Sequence, residues 1–233
     1  MNELMQTSIF AGATISLLAY MFGAWLKKKF HSGFFNPLLI SIAVTIIVLL
    51  AAHVDYDTYN MGAKYISWFL TPATVCLAIP LYEQLSLLKK NLAAVAAGIV
   101  SGVLTSLVAV LLLALLFGLN QQEFVTFLPK SITTAIGMSV SEELGGYVNI
   151  TVLVIVVTGV LGNILAEPVL KLFRIQEPIA KGLALGSSAH AIGTAKAMEL
   201  GEIEGAMSSL SIAVAGILTV FGASVFSWIY SVL

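Results

Sequence analysis

The stretch Gly186-Ser-Ser-Ala-His190-Ala-Ile-Gly193-Thr194-Ala-Lys196 decides how this chain is read. It is small and polar, and it lies in a chain that is otherwise almost continuously apolar. An earlier stretch, Leu128-Pro-Lys130-Ser131-Ile-Thr133-Thr134-Ala-Ile-Gly137, has the same character. Neither has the make-up of a lipid-facing helix or of an ordinary loop. Two interrupted elements of this kind read as discontinuous helices facing each other inside a membrane protein.

Composition supports that setting. Apolar residues make up 59% and charged residues 10% of the 233 residues, and mean hydropathy is +1.00; a soluble domain carries roughly a quarter charged residues. Leu92–Phe117, Val148–Ala166 and Gly205–Leu233 contain no charge and approach or exceed the roughly 20 residues that span a bilayer. One cysteine, Cys76, excludes an internal disulfide and a multi-thiolate metal site. No histidine or carboxylate cluster suggests a metal or cofactor. No basic patch with interleaved aromatics points to nucleic acid. No Ser/His/acid arrangement sits on an elbow-type turn, so the expectation is not an enzyme.

In chain order, span 1 is expected over Ser8–Leu26, span 2 from Phe34-Phe35-Asn36-Pro37 to Ala52, and span 3 over Lys64–Tyr82. Span 3 is interrupted by Thr71-Pro72 and Pro80, with His53–Asn60 before it as a polar aromatic loop. Span 4 is Leu92–Phe117, span 5 Val148–Glu167 and span 6 Gly205–Tyr230. Lys27–Lys29, Lys89-Lys90 and the group Lys171, Arg174, Lys181 hold eight of the eleven basic residues. The positive-inside rule puts all three groups in the cytoplasm. For that to hold, Phe124–Gly145 must enter and return on the outer side, and Ala180–Leu200 on the inner side. The expected fold is therefore an all-α polytopic membrane protein with about six spanning helices and two oppositely oriented re-entrant broken-helix hairpins, an inverted repeat. It reads as one domain, 1–233, with spans 1 to 4 as a scaffold over 1–123 and two hairpin-plus-span repeats over 124–233.

The polar side chains suggest a small anion as ligand. Helical spacing would place Ser187, His190 and Thr194 on one face, with Gly186 and Gly193 allowing close approach and Ser188 beside them. Half-helix N–H groups and the helix dipole favour negative charge. His190 titrates where a proton-coupled carrier needs a group; the structural alternative is a histidine satisfied by a carbonyl. In the first element Lys130 can face a carboxylate, with Ser131, Thr133 and Thr134 nearby, or can snorkel to the interface. Lys196 is as well explained by a pair with Glu199. Glu83, and Asn163 with Glu167 at i, i+4, are secondary candidates, and helix packing by small and hydroxyl residues is the alternative for the whole set.

Five stretches together resemble the LrgB/CidB family of antiholin-like, murein-hydrolase-regulator membrane proteins: Asn36-Pro-Leu-Leu-Ile-Ser41, Ala78-Ile-Pro-Leu-Tyr-Glu-Gln84, Leu128–Thr134, Gly186–Ala195 and Glu204–Ser209. The chain departs from the family pattern at Thr134-Ala135 and at Ser187-Ser188-Ala189-His190, which puts the role of Ser188 in doubt. The resemblance implies two descriptions. One is control of murein hydrolase activity, autolysis and programmed cell death (cytolysis) with a small LrgA/CidA-type membrane companion. The other, through a plastid glycolate/glycerate carrier and bacterial pairs linked with pyruvate uptake, is transport. The buried polar hairpins favour a secondary transporter of small monocarboxylates of the pyruvate, lactate or glycolate type, coupled to H⁺. The alternative is the antiholin/holin-like regulator. A homodimer in the bacterial cytoplasmic membrane, multi-pass in the bilayer, completes the expectation.

Overall fold

The computed structural model describes residues 10–30, 35–76 and 78–233, and every regular element among them is a helix. The chain divides into two compact units, Met1–Cys76 and Leu77–Leu233. The helix Leu92–Phe117 packs into the core of the second unit.

In the first unit, α1 (Ala11–Phe30) packs on α2 (Pro37–Ala51) and α3 (Tyr56–Ser67), and α4 (Leu70–Cys76) follows. Two residues of expected span 1, Ser8 and Ile9, lie outside the described residues, as does Phe34 at the start of span 2. α1 continues through Lys27, Lys28 and Lys29 in its last turn, where cations complement the negative end of the helix dipole. α2 starts where Pro37 fits the first turn; Asn36 Oδ1 accepts from Leu38 N at 2.9 Å and Leu39 N at 3.2 Å. The sequence reading of 53–60 as a loop is corrected. Asp55 accepts from Thr58 N at 2.9 Å and from Thr58 Oγ1 at 2.7 Å, and this cap starts a helix at Tyr56. Those two bonds, the hydroxyl one first, hold the Asp55 carboxyl below its ordinary value.

The second unit opens with α5 (Ala78–Glu83) and α6 (Leu85–Lys90), so the interrupted span 3 is spread over α3, α4 and α5. Then come α7 (Leu92–Phe117), α8 (Gln121–Phe127), α9 (Thr134–Glu143), α10 (Val148–Leu172), α11 (Pro178–Leu200) and α12 (Glu202–Ser231). Among the described residues, α7, α10 and α12 are long and apolar enough to cross a bilayer. α7 buries Val95, Ile99, Val103, Leu107, Val110 and Ala114, recurring every three or four residues as a core-facing stripe must. Phe124, Val125, Leu128 and Met207 are buried in the same cluster, which is the unit's core.

α12 acts as a ruler for everything else. Near its C-terminal end, Gln121 Nε2 donates to Ser227 O at 3.1 Å, Phe124 stacks on Tyr230 at 4.2 Å, and Tyr230 OH donates to Leu119 O. Near its N-terminal end, a methyl placed on Gly182 would run into Glu204 O and Met207 Cβ. At its middle, Ile136 lies against Gly216 and Gly186 against Ser208 and Ser211. The segments 121–143 and 178–200 thus begin at opposite ends of α12 and converge near its centre.

Candidate functional site: a groove between two broken hairpins

Each of these segments doubles back on itself. In the first, Asn120 and Glu123 form a reciprocal capping box that starts α8, and Pro129 follows its end, where an interior helical position would clash. Thr126 and Ser141, fifteen positions apart, meet at Thr151: its Oγ1 donates to Thr126 O at 2.9 Å and lies 2.7 Å from Ser141 Oγ. Pro129 lies against Gly137. The turn is therefore 128–133, and α9 restarts with Thr133 in extended backbone at φ −64°, ψ 148°.

In the second segment the reversal is sharper. Ala189 (φ −129°, ψ 15°) and His190 (φ 42°, ψ −136°) leave helical geometry, and a methyl on Gly193 would come to 2.5 Å from Leu185 O, far closer than eight residues of continuous helix permit. The first arm, 178–188, runs along α12 in the same direction, with Gly182 at Glu204 and Gly186 at Ser208. The second arm, 191–200, runs against it, with Thr194 Oγ1 2.7 Å from Ser208 Oγ and Met198 against Gly205.

The reversal disperses the face expected of Ser187, His190 and Thr194. That face needs an unbroken helix, and the break lies between its members. His190 is buried and its Nε2 is 3.0 Å from Ile155 O on α10, where it donates. Gly159 and Gly162 are the positions on α10 that admit it: a side chain at 159 would strike the imidazole, and one at 162 would strike Ala189 Cβ. Thr194 donates to His190 O at 3.1 Å.

What the fold does bring together is Lys130 and Ser131 from the first turn with Ser187 and Ser188 from the second. They line a groove of about 760 Å³ whose third wall is α7 with Ser101, Gly102, Thr105 and Ser106, and whose far end holds Asn91 and Glu177. Lys130 Nζ donates to Ser131 Oγ at 2.9 Å, and Ser131 Oγ is 3.0 Å from Ser106 Oγ. Among the described residues no carboxylate pairs with Lys130, so neither Glu142, Glu143 nor Glu83 neutralises it. Ser187 and Ser188 donate back to the carbonyls of Leu183 at 2.7 Å and Ala184 at 2.6 Å. As they stand they turn lone pairs, not protons, to the groove.

The other expected site residues fall elsewhere. Thr133 and Thr134 stand half-buried at the start of α9. Gly193 packs on the first arm of its own hairpin. Glu83 is exposed at the end of α5. Asn163 Nδ2 donates to Ile192 O at 3.1 Å, and Glu167 accepts from Lys196 Nζ at 2.7 Å; both fasten the second arm to α10. Lys196 also reaches Glu199 at 3.2 Å, the pair expected from the sequence. Sequence reasoning passed over Ser101, Thr105 and Ser106. Their signal was the run of hydroxyl and small residues at 94, 98, 101, 102, 105, 106 and 109, one face of a helix otherwise read as plain lipid-spanning. Among the described residues no group of three His, Cys, Asp or Glu side chains comes together.

A family model described as LrgB-like matches residues 16–229, nearly the whole chain. The chain belongs to the LrgB-like family. Three relatives, each called "Antiholin-like protein LrgB", come from Bacillus mycoides (strain KBAB4), Bacillus cereus (strain B4264) and Bacillus anthracis (strain CDC 684 / NRRL 3495). Each is 40% identical over 210 residues, covering 90% of this chain and 91% of the relative. No solved structure matches. Family membership agrees with the resemblance carried by Leu128–Thr134 and Gly186–Ala195, and with three bilayer-length apolar helices it makes this LrgB-like chain a membrane protein.

Proposed function

We propose that this chain is an antiholin-like protein of the bacterial cytoplasmic membrane whose action runs through a small-anion site at Lys130. The name shared by the relatives supports the antiholin-like role; the family resemblance implies that such a role is control of murein hydrolase activity and autolysis beside a small LrgA/CidA-type companion. A single observation carries the anion site: among the described residues no carboxylate pairs with Lys130, which lies in a hydroxyl-lined groove between two broken hairpins. An ionisable group inside a membrane protein is costly, which supports a role in holding a ligand or lining a path. The same observation supports a second reading, in which the site carries small monocarboxylates of the pyruvate, lactate or glycolate type across the membrane. Six spans with re-entrant hairpins, and a homodimer, fit either reading. Coupling to H⁺ would have to use Lys130 or Glu177, the ionisable groups lining the groove, since His190 is turned to Ile155 O.

The test pairs two assays on the parent and Lys130→Gln. In cells lacking the native protein, the antiholin-like role predicts that the parent restores the normal rate of autolysis and that Lys130→Gln does not. In liposomes, with and without the companion, the carrier reading predicts flux of one of the three monocarboxylates that Lys130→Gln abolishes. Full complementation by Lys130→Gln, with no flux from the parent, would remove the anion site altogether.

A further inference from the structure

The groove has a direction. Asn91, just before α7, and Glu177, the residue that starts α11, lie at one end of it, and Ser106, Ser131 and Lys130 at the other. From Asn91 to Ser106 the chain climbs fifteen residues of helix, about 22 Å at 1.5 Å per residue, against a hydrocarbon layer of about 30 Å. Lys130 is thus reached along a polar and small-residue furrow from one end of α7 to just past its middle.

The two ends of α7 differ. At the N-terminal end, Lys89 and Lys90 immediately precede Asn91, and Lys171, Arg174 and Lys181 cluster around a neighbouring pocket at the base of the second hairpin. Five cations on one side mark it as cytoplasmic. Farther along the same helix, a second depression of about 360 Å³ lies over Leu104, Val108 and Leu112, sharing Thr105 and Ala109 with the groove and with no polar residue beyond Thr105. Behind it Leu107, Phe124 and Leu128 are each no more than 1% exposed, and Phe124 is stacked on Tyr230. A hydrated ion has hydroxyl, amide and cationic partners up to Lys130 and only hydrocarbon after it; the loss of those partners is a barrier.

We propose that the groove is a one-sided aqueous entry path, open from the cytoplasmic face to Lys130 and closed beyond it, for a small carboxylate anion. The ligand class rests on the small-anion reading of Lys130; the path itself rests only on the lining of α7 and α11.

Single cysteines in a Cys76→Ser background test it. Ala94→Cys, Ser101→Cys and Thr105→Cys lie at increasing depth on the groove wall, Leu112→Cys lies past its polar end, and Lys171→Cys and Gln122→Cys mark the two faces. A membrane-impermeant maleimide is applied to right-side-out and inside-out vesicles, with and without pyruvate, lactate or glycolate. Residues 94, 101 and 105 should label only from the side that labels Lys171→Cys, more slowly with depth, and Leu112→Cys from neither. Labelling of 101 and 105 from the Gln122 side, from both sides alike, or from neither overturns the path. Correct sidedness with slowing at 105 by a carboxylate supports path and ligand together. Correct sidedness with no slowing by any of the three supports the path and refutes the anion reading of Lys130.

Discussion

Replacing His190 by alanine and, separately, by glycine tests the break in α11 through the sign of a difference. Both variants lose the bond to Ile155 O, about 1 kcal/mol, and leave the space of the ring. They differ in backbone. At φ 42° and ψ −136° an L-residue bears strain of about 1–3 kcal/mol, which alanine retains and glycine relieves. Glycine gives back about 0.5–1 kcal/mol in unfolded-chain entropy. The net expectation is that His190→Gly is more stable than His190→Ala by about 1 kcal/mol. In an uninterrupted helix the order reverses, alanine leading by about 1 kcal/mol, so the two geometries are separated by about 2 kcal/mol in total. Denaturant titration of purified protein in detergent, compared at equal slope so that midpoints report stability, reads the difference. An alanine variant at or above the glycine variant would refute the reversal at Ala189–His190.

Three more expectations follow from contacts described above. Gly186→Ala forces a methyl against Ser208 O and Ser211 Cβ, and backbone cannot retreat as a side-chain tip can; a loss of about 1–3 kcal/mol should appear in the same titration, with no loss refuting the close packing of α11 on α12. Lys196→Met removes the link to Glu167 and Glu199; with both carboxylates about half exposed and screened, about 1 kcal/mol is expected, and Glu167→Gln in the Lys196→Met background should add little, which a double-mutant cycle checks. Asp55 has its carboxyl lowered by Thr58 in the folded state, so the protection it gives the start of α3 is present above the ordinary aspartate range and is lost as pH falls through the lowered value. Hydrogen-exchange protection at residues 56–59, taken relative to the intrinsic rate at each pH, should fall on acidification in the parent and not in Asp55→Asn; an equal fall in both would place the cause elsewhere.

The long elements were legible because one signal fixed them. α7 runs from Leu92 to Phe117 as read, since an unbroken apolar run between Asn91 and Gly118 leaves no choice. The broken character of 124–145 and 180–200 was legible too, from Pro129 and from glycines among hydroxyls. The residue at which the second break falls was not. Helical spacing set Ser187, His190 and Thr194 on one face, whereas the chain turns between them at Ala189–His190, where a distant carbonyl, Ile155 O, holds the ring and Gly159 and Gly162 make room for it. Periodicity within one segment carries no trace of that partner. The site was half legible for the same reason. Lys130 stood out as a charge, but Ser101, Thr105 and Ser106 become polar partners only when two hairpins are laid along their face of α7.

Ile155 belongs to both hairpins at once. Its carbonyl receives His190, and its side-chain tip fills the place where Gly137 would otherwise carry a methyl. Over generations these three positions are not free to wander separately. A lineage that gains bulk at 137 has to shed it at 155, and any backbone shift that accommodates the exchange moves the acceptor on which 190 depends. A change of bulk at any one of these positions is thereby felt by both hairpins.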